Sequence, residues 1–163
     1  MKITEASPPA NSLIMQFATM EAHYSDGFCV HMPKQVDLSA FITAFYKTPL
    51  FRAERLVLRL GARAPSSDDD VDALAAGQQD TFAIWTVEGR RDDEILLGDS
   101  AGRTKSWLHV APNDTGTQLW FGSVVVPVLH RGKLTKGPVF DALLGAHKVY
   151  SRMLLGSAAA KFR

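Results

Sequence analysis

His147 and Tyr150 are the residues whose types and spacing best suit chemistry, because three positions apart in the closing segment they fall on one face of a helix. An imidazole and a phenol presented together can donate hydrogen bonds to a ligand, work as a general acid–base pair, or simply sit satisfied in a packed core. Trp85, Leu108 and Trp120 are candidates to wall the same space. Trp85 shares a strand face with Ala83 and Val87, and Trp120 shares one with Gly122 and Val124. Each indole brings apolar area and one N–H, which can orient a ligand or belong to ordinary core. Gly122 inside a strand points to a bulge or to the close approach of ligand or backbone.

Other chemistry-bearing patterns fail on spacing. Gly132-Lys133-Leu134-Thr135-Lys136-Gly137 opens like a phosphate loop, yet Pro138 and Val139 stand where lysine and a hydroxyl residue are required. Lys133 and Lys136 ahead of a helix N-terminus could still hold an anion, or be solvated loop lysines. The chain carries no HExxH, GxSxG or GxGxxG, so zinc proteolysis, that form of serine hydrolysis and a Rossmann site lose their usual signals. Asp68-Asp69-Asp70 lacks the glycine and glutamate of a calcium loop and reads as the first turn of a helix capped by Ser67. The single Cys29 excludes an internal disulfide and any multi-cysteine metal site, and reads as a small buried hydrophobe in a reducing compartment. No metal and no cofactor are expected.

The scaffold that must position these residues is one domain by length: 163 residues can bury about two-thirds of their unfolded surface. With 46% hydrophobic and 21% charged residues, the composition argues against extensive disorder. No apolar run approaches the ~18 residues of a membrane span, and Leu13–Met20, interrupted by Gln16 and Thr19, makes a poor secretory core. A cytoplasmic location is expected, which deprives the glycosylation triplet Asn113-Asp114-Thr115 of meaning.

Residues 1–22 read as a flexible lead with a turn or two of helix from Asn11 or Ser12. Alternation places a first strand over Gly27–Met32, and Asp37 caps a helix over Leu38–Lys47. Thr48-Pro49 restarts a second helix to about Leu60, with Leu50, Ala53, Val57 and Leu60 as its apolar face. Strands follow over Thr81–Glu88, Glu94–Gly98, Thr104–Val110 and Thr117–Leu129, with short links that favour an antiparallel meander. Because lysine prefers water, Lys105 should lie outside with Trp107 and His109, leaving Leu108 and Val110 towards the helices. The last helix starts at Pro138 with Phe140, Leu143, His147, Tyr150 and Leu154 on its apolar face. Gly156 should weaken its end and leave residues 157–163 frayed.

This order implies an α+β domain in which a long C-terminal helix covers one face of a curved antiparallel sheet, with room for a cavity between them. Five segments carry a resemblance: Ala22-His23-Tyr24-Ser25-Asp26-Gly27-Phe28-Cys29-Val30, Phe45-Tyr46-Lys47-Thr48-Pro49, Glu94-Ile95-Leu96-Leu97-Gly98, Lys105-Ser106-Trp107-Leu108-His109-Val110 and His147-Lys148-Val149-Tyr150-Ser151-Arg152-Met153-Leu154-Leu155. In these the chain resembles the START-like (SRPBCC) superfamily of helix-grip proteins, and within it a bacterial family of unknown function. The resemblance spans most of residues 22–156. It implies an apolar pocket rather than a reaction, since relatives bind lipids, hormones or polyketides and some catalyse cyclisation. That plan usually has seven strands where five are legible here, so two are merged or missed, or the sheet is reduced.

The expected function is therefore binding of a small hydrophobic or amphipathic molecule or lipid, with Trp85, Leu108, Trp120, His147 and Tyr150 lining the pocket. One alternative is a cyclase or dehydratase using His147 and Tyr150 for proton transfer. Another is a non-catalytic interaction module with a basic C-terminal surface. From Arg131 to Arg163 basic residues outnumber acidic ones seven to one, and from Pro65 to Ser100 acidic residues lead ten to two. Such asymmetry marks either an anion-binding end or two solvated surfaces. Nucleic acid is not an expected partner, because the basic residues are not interleaved with exposed aromatics.

Overall fold

A computed structural model describes residues 1–20, 23–61, 64–130, 133–135 and 138–163, and the side chains at 57–58, 61, 128–130, 133–135 and 138–143 fall outside that description. The elements are β1 (Thr4–Glu5), α1 (Met15–Ala18), β2 (Tyr24–Met32), α2 (Leu38–Tyr46), α3 (Pro49–Gly61), α4 (Asp68–Ala75), β3 (Thr81–Phe82), β4 (Trp85–Arg90), β5 (Glu94–Asp99), β6 (Thr104–Asn113), β7 (Gly116–Val125), β8 (Val128–His130), β9 (Lys133–Thr135) and α5 (Pro138–Ala159). Seven strands form one antiparallel sheet in the order β1-β2-β7-β6-β5-β4-β3, while β8 and β9 pair separately. The protein is α+β, with an antiparallel sheet and a long C-terminal helix.

The five strands legible in the sequence become seven for local reasons. Thr81–Glu88 divides at Ala83-Ile84, a two-residue turn in which Ala83 takes a φ of 53°, and Phe82 pairs with Trp85 across it. β1, inside the N-terminal lead, supplies the other, pairing Thr4 with Cys29. Thr117–Leu129 also divides, at Val126-Pro127, but its second part leaves the sheet as β8.

Strand alternation sorts side chains into two faces. Register pairs Phe28 with Phe121 and Leu108 with Phe121 on one face, and Cys29 with Trp120 on the other. The first face carries Ile95, Leu97, Leu108, Val110 and Phe121 into a large core completed by α2, α4 and α5. The second carries Cys29, Leu96, Trp107, Trp120 and Val124, all buried. An apolar outer face needs a cover, and the N-terminal lead, expected to be loose, packs there: Ile14 is fully buried on that face, with Leu13 and Phe17 beside it.

A carboxylate pins this cover. Glu94, 2% exposed, accepts the Leu13 N–H at 2.9 Å and the Trp107 Nε1–H at 2.6 Å on one oxygen and Arg91 at 2.7 Å on the other. Lys105 does lie outside as expected, but not in water: it is 7% exposed, with Nζ 2.5 Å from Glu88 and 4.9 Å from the centre of the Phe17 ring.

The helices are capped where the residues predict. Asp37 accepts the Ala40 N–H at 2.7 Å, the Thr48 hydroxyl accepts the Phe51 N–H, and Ser67 with Asp70 forms a reciprocal capping box. The expected face of α3 is corrected in part: Leu50 packs against the core as expected, and the Val57 side chain lies outside the described residues. Leu60 is 75% exposed and Ala53 is exposed, whereas Phe51 is buried and Glu54 half-buried, because Phe51 joins a cluster with Phe45, Tyr46 and Phe82. The C-terminal end is corrected as well. Helix continues through Gly156, whose absent Cβ makes room for Ile3, and Ala158 and Ala159 are buried rather than frayed.

Candidate functional site

A cavity of about 260 Å³ lies between α5 and the sheet, closed on one side by α3 and the Ala83-Ile84 turn. From the expected set it brings together Trp85, His147 and Tyr150. Trp85 reaches it because the turn before β4 sets the strand's parity, aligning Trp85 with Asp99 and Val87 with Leu97. His147, Tyr150, Ser151 and Leu154 reach it because they follow the inward face of α5.

Two expected residues lie elsewhere. Leu108 is on the correct side but fully buried between the partners Ile95 and Phe121, so it is core rather than cavity wall. Trp120 is on the opposite face, its ring centre 6.3 Å from that of Trp107. Trp120 shares its face with Val124 as strand parity implies, and the N-terminal lead covers that face. Gly122 itself marks no bulge, since register runs unbroken on both sides of β7. Its missing side chain leaves space for Ile14 and Trp107.

Each polar tip of the cavity is held by a carboxyl distant in sequence. His147 Nε2 is 2.9 Å from the Ser123 hydroxyl and 3.3 Å from Asp26 Oδ2. Asp26 accepts the Ser123 hydroxyl at 2.7 Å, the Ser123 N–H at 3.1 Å and the Tyr24 hydroxyl at 3.0 Å. Burial alone would raise the Asp26 carboxyl, but hydrogen bonds from His147 and Ser123 outweigh it and hold it below its ordinary value. At the second tip Tyr150 donates its hydroxyl to Glu54. Burial pushes Glu54 upward, and the Tyr150 hydrogen bond opposes that only in part. Burial and the nearby Glu54 push the Tyr150 phenol upward too.

Serine, histidine and aspartate thus meet, but not as a nucleophilic triad. The one Ser123 hydroxyl proton goes to Asp26, so its oxygen is the acceptor from His147 and the Nε2 proton follows from the network. A hydrolytic serine needs the reverse, with an unprotonated Nε2 taking its proton and the carboxylate on Nδ1. What the arrangement can do is hold a proton on Nε2 and fix the ring edge towards the cavity.

No family model matches the chain, and no curated protein matches it. Among solved structures it is similar to a crystal structure of a Rhodobacter sphaeroides protein from the Northeast Structural Genomics Consortium. The two are 11% identical, the match covers 98% of this chain and 97% of that one, and the TM-score is 0.47.

Sequence reasoning missed Asp26, Glu54, Ser123 and Ser151. Asp26 had a signal, being a charged residue on the same parity as Phe28, Val30 and Met32, in a strand whose inward face is otherwise apolar. Glu54 had none, because the apolar periodicity of α3 pointed elsewhere. The anion-site candidates Lys133 and Lys136 lie outside the described side chains. Of the other basic residues, Lys148 and Arg152 each contact Glu5 at 2.7 Å, so a single carboxylate offsets one of their two charges. Among the described residues no helix is long and apolar enough to cross a membrane.

Proposed function

We propose that this chain is a helix-grip protein of the START-like superfamily that binds a small hydrophobic or amphipathic molecule between its sheet and α5. The observation that carries the reading is the cavity itself: an open volume walled by Phe45, Phe51, Phe121 and Leu154, with polar tips converging from His147 and Tyr150. Two polar atoms there lack partners among the described residues, Trp85 Nε1 and Ser151 Oγ. A buried donor without an acceptor is unfavourable by about 1–3 kcal/mol, and a bound oxygen or water relieves that. The seven-stranded sheet supports the kinship, since seven is the number that plan usually has. A volume of 260 Å³ equals about eight or nine liquid waters, which suits one ring or a short chain rather than a two-chain lipid.

Native mass spectrometry of the purified protein, followed by titration with the molecule it retains, tests this. The expected result is saturable one-to-one binding that Ser151→Phe, which drives a ring into the cavity, abolishes without loss of fold. Equal binding by Ser151→Phe would sink the assignment of the site, and no saturable ligand would sink the function.

A specific observation favours a second reading, proton-transfer catalysis of the cyclase or dehydratase type. Both His147 and Tyr150 have the carboxyl partner that such chemistry uses, Asp26 and Glu54. In that case His147→Ala abolishes turnover while leaving ligand affinity nearly unchanged. Equal loss of both properties would assign His147 to binding alone.

A further inference from the structure

We propose that the cavity selects a small amine with an aromatic or alkyl body, its ammonium on the Glu54 carboxylate with the Ser151 hydroxyl as a further acceptor. This rests on the reading of the cavity as a ligand site and names the chemistry of what enters it.

Among the described residues Glu54 is the one carboxyl that lines the cavity, and its partner there is a phenol, not a cation. The two basic residues described along the wall are both engaged. Lys105 carries Nζ to the outer face, onto Glu88 and over Phe17, and His147 is held by Ser123 and Asp26. A carboxylate beside a low-dielectric volume without a counter-ion attracts a ligand cation and repels a ligand anion. Burial is what pushes Glu54 upward, and the Tyr150 hydrogen bond opposes it only in part.

Ser151 is the independent observation. It is 0% exposed, lines the cavity and has no hydrogen-bond partner among the described residues. A hydroxyl oxygen accepts readily from an ammonium N–H. The walls fit the same ligand, because Phe45, Phe51, Phe121 and Trp85 present aromatic surface that favours a nearby cation as well as an apolar body. The unpartnered Trp85 N–H is left for an oxygen elsewhere on the molecule. Fatty acids and other carboxylates are the class excluded.

Titration calorimetry near neutral pH with phenethylamine, phenethyl alcohol and phenylacetate separates the possibilities. Phenethylamine is expected to bind about tenfold or more tightly than the alcohol, with phenylacetate weakest, as a charge-assisted hydrogen bond implies. In Glu54→Gln the preference for the amine should fall to within about threefold of the alcohol measured on the same variant. Ser151→Ala should lower amine affinity by about threefold. Equal binding of amine and alcohol to the wild-type protein overturns the charge preference without needing a folded variant. Binding of alcohol or acid with the amine excluded does the same and leaves the cavity reading standing. No binding of any of the three overturns both.

Discussion

On the outer face of the sheet the Trp107 indole N–H meets Glu94 at 2.6 Å, while on the α5 side the Trp85 indole N–H meets nothing among the described residues. Both residues come from the same strand chemistry, and the surroundings separate them. Around Trp107 the space is filled by Ile14, Cys29, Leu96 and Trp120, and the buried carboxylate has both oxygens engaged. Around Trp85 there is an open volume of 260 Å³. Trp120 sharpens the contrast, since its Nε1 is also buried without a described partner yet its ring is packed in a filled cluster. The two unpartnered indole N–H groups therefore differ in that empty volume adjoins only that of Trp85. The outer face is built to stay shut, and the α5 side is built with something left to satisfy.

The strongest way to break this comparison is to remove the outer pin. Glu94→Ala leaves the Leu13 N–H and the Trp107 N–H without their acceptor and releases Arg91. It is expected to lower the unfolding free energy by about 3–5 kcal/mol, measured by urea denaturation. A loss under about 1 kcal/mol would show that the cover is held by apolar packing alone. Next in size is Gly122→Ala. Its Cβ would fall 2.9 Å from Ile14 Cδ1 and 3.0 Å from Trp107 Cε3, so the filled face must shift to admit it. A loss of about 1–3 kcal/mol is expected, and a neutral substitution would mean that the outer face has slack.

How legible these two regions were in the sequence differs for physical reasons. Caps are local, so Asp37, Thr48 and Ser67 could be read from their neighbours alone, and so could the parity of Leu108 against Trp107. His147 and Tyr150 were legible because helix periodicity fixes which residues share a face. Their partners were not, because Asp26 and Glu54 lie far away in sequence and only tertiary packing brings them near. Trp120 failed for a related reason: alternation tells which residues lie together but not which face is covered by what. The N-terminal lead covers the outer face through Leu13, Ile14 and Phe17, an apolar group too short and too interrupted to show from sequence which surface it would meet.

The two carboxyls beside the cavity should respond oppositely to pH. Asp26 is held below its ordinary 3.8 in the folded protein, so its contribution to stability is present above pH 3.8 and is lost as pH falls through the lower folded value. Glu54 is held above its ordinary 4.5, so its contribution is present below pH 4.5 and is lost as pH rises through the higher folded value. Asp26→Asn should therefore flatten the acid limb of a plot of Tm against pH. Glu54→Gln should flatten a decline above pH 4.5 and be more stable than the wild-type protein near neutrality. A Glu54→Gln protein less stable than wild type at neutral pH would mean that a cation already balances the carboxylate, and the contrast between the two ends of the cavity would disappear.

The smallest effect gives the finest test, because it applies one deletion to two buried serines. The Ser123 hydroxyl donates to Asp26 at 2.7 Å and contacts His147 at 2.9 Å, so Ser123→Ala removes two satisfied interactions and should lower stability by about 1–2 kcal/mol. The Ser151 hydroxyl has no described partner and lies mid-helix in α5. Ser151→Ala removes a desolvated group that nothing compensates and puts the best helix former in its place, so it should raise stability by about 0.5–1 kcal/mol. Opposite signs for the same chemical change, read by thermal denaturation of ligand-free protein, would place the unmet polar group at the cavity rather than in the sheet. A loss at both positions would mean that Ser151 is already satisfied, by water or by backbone, and the cavity would then have one fewer group to offer a ligand.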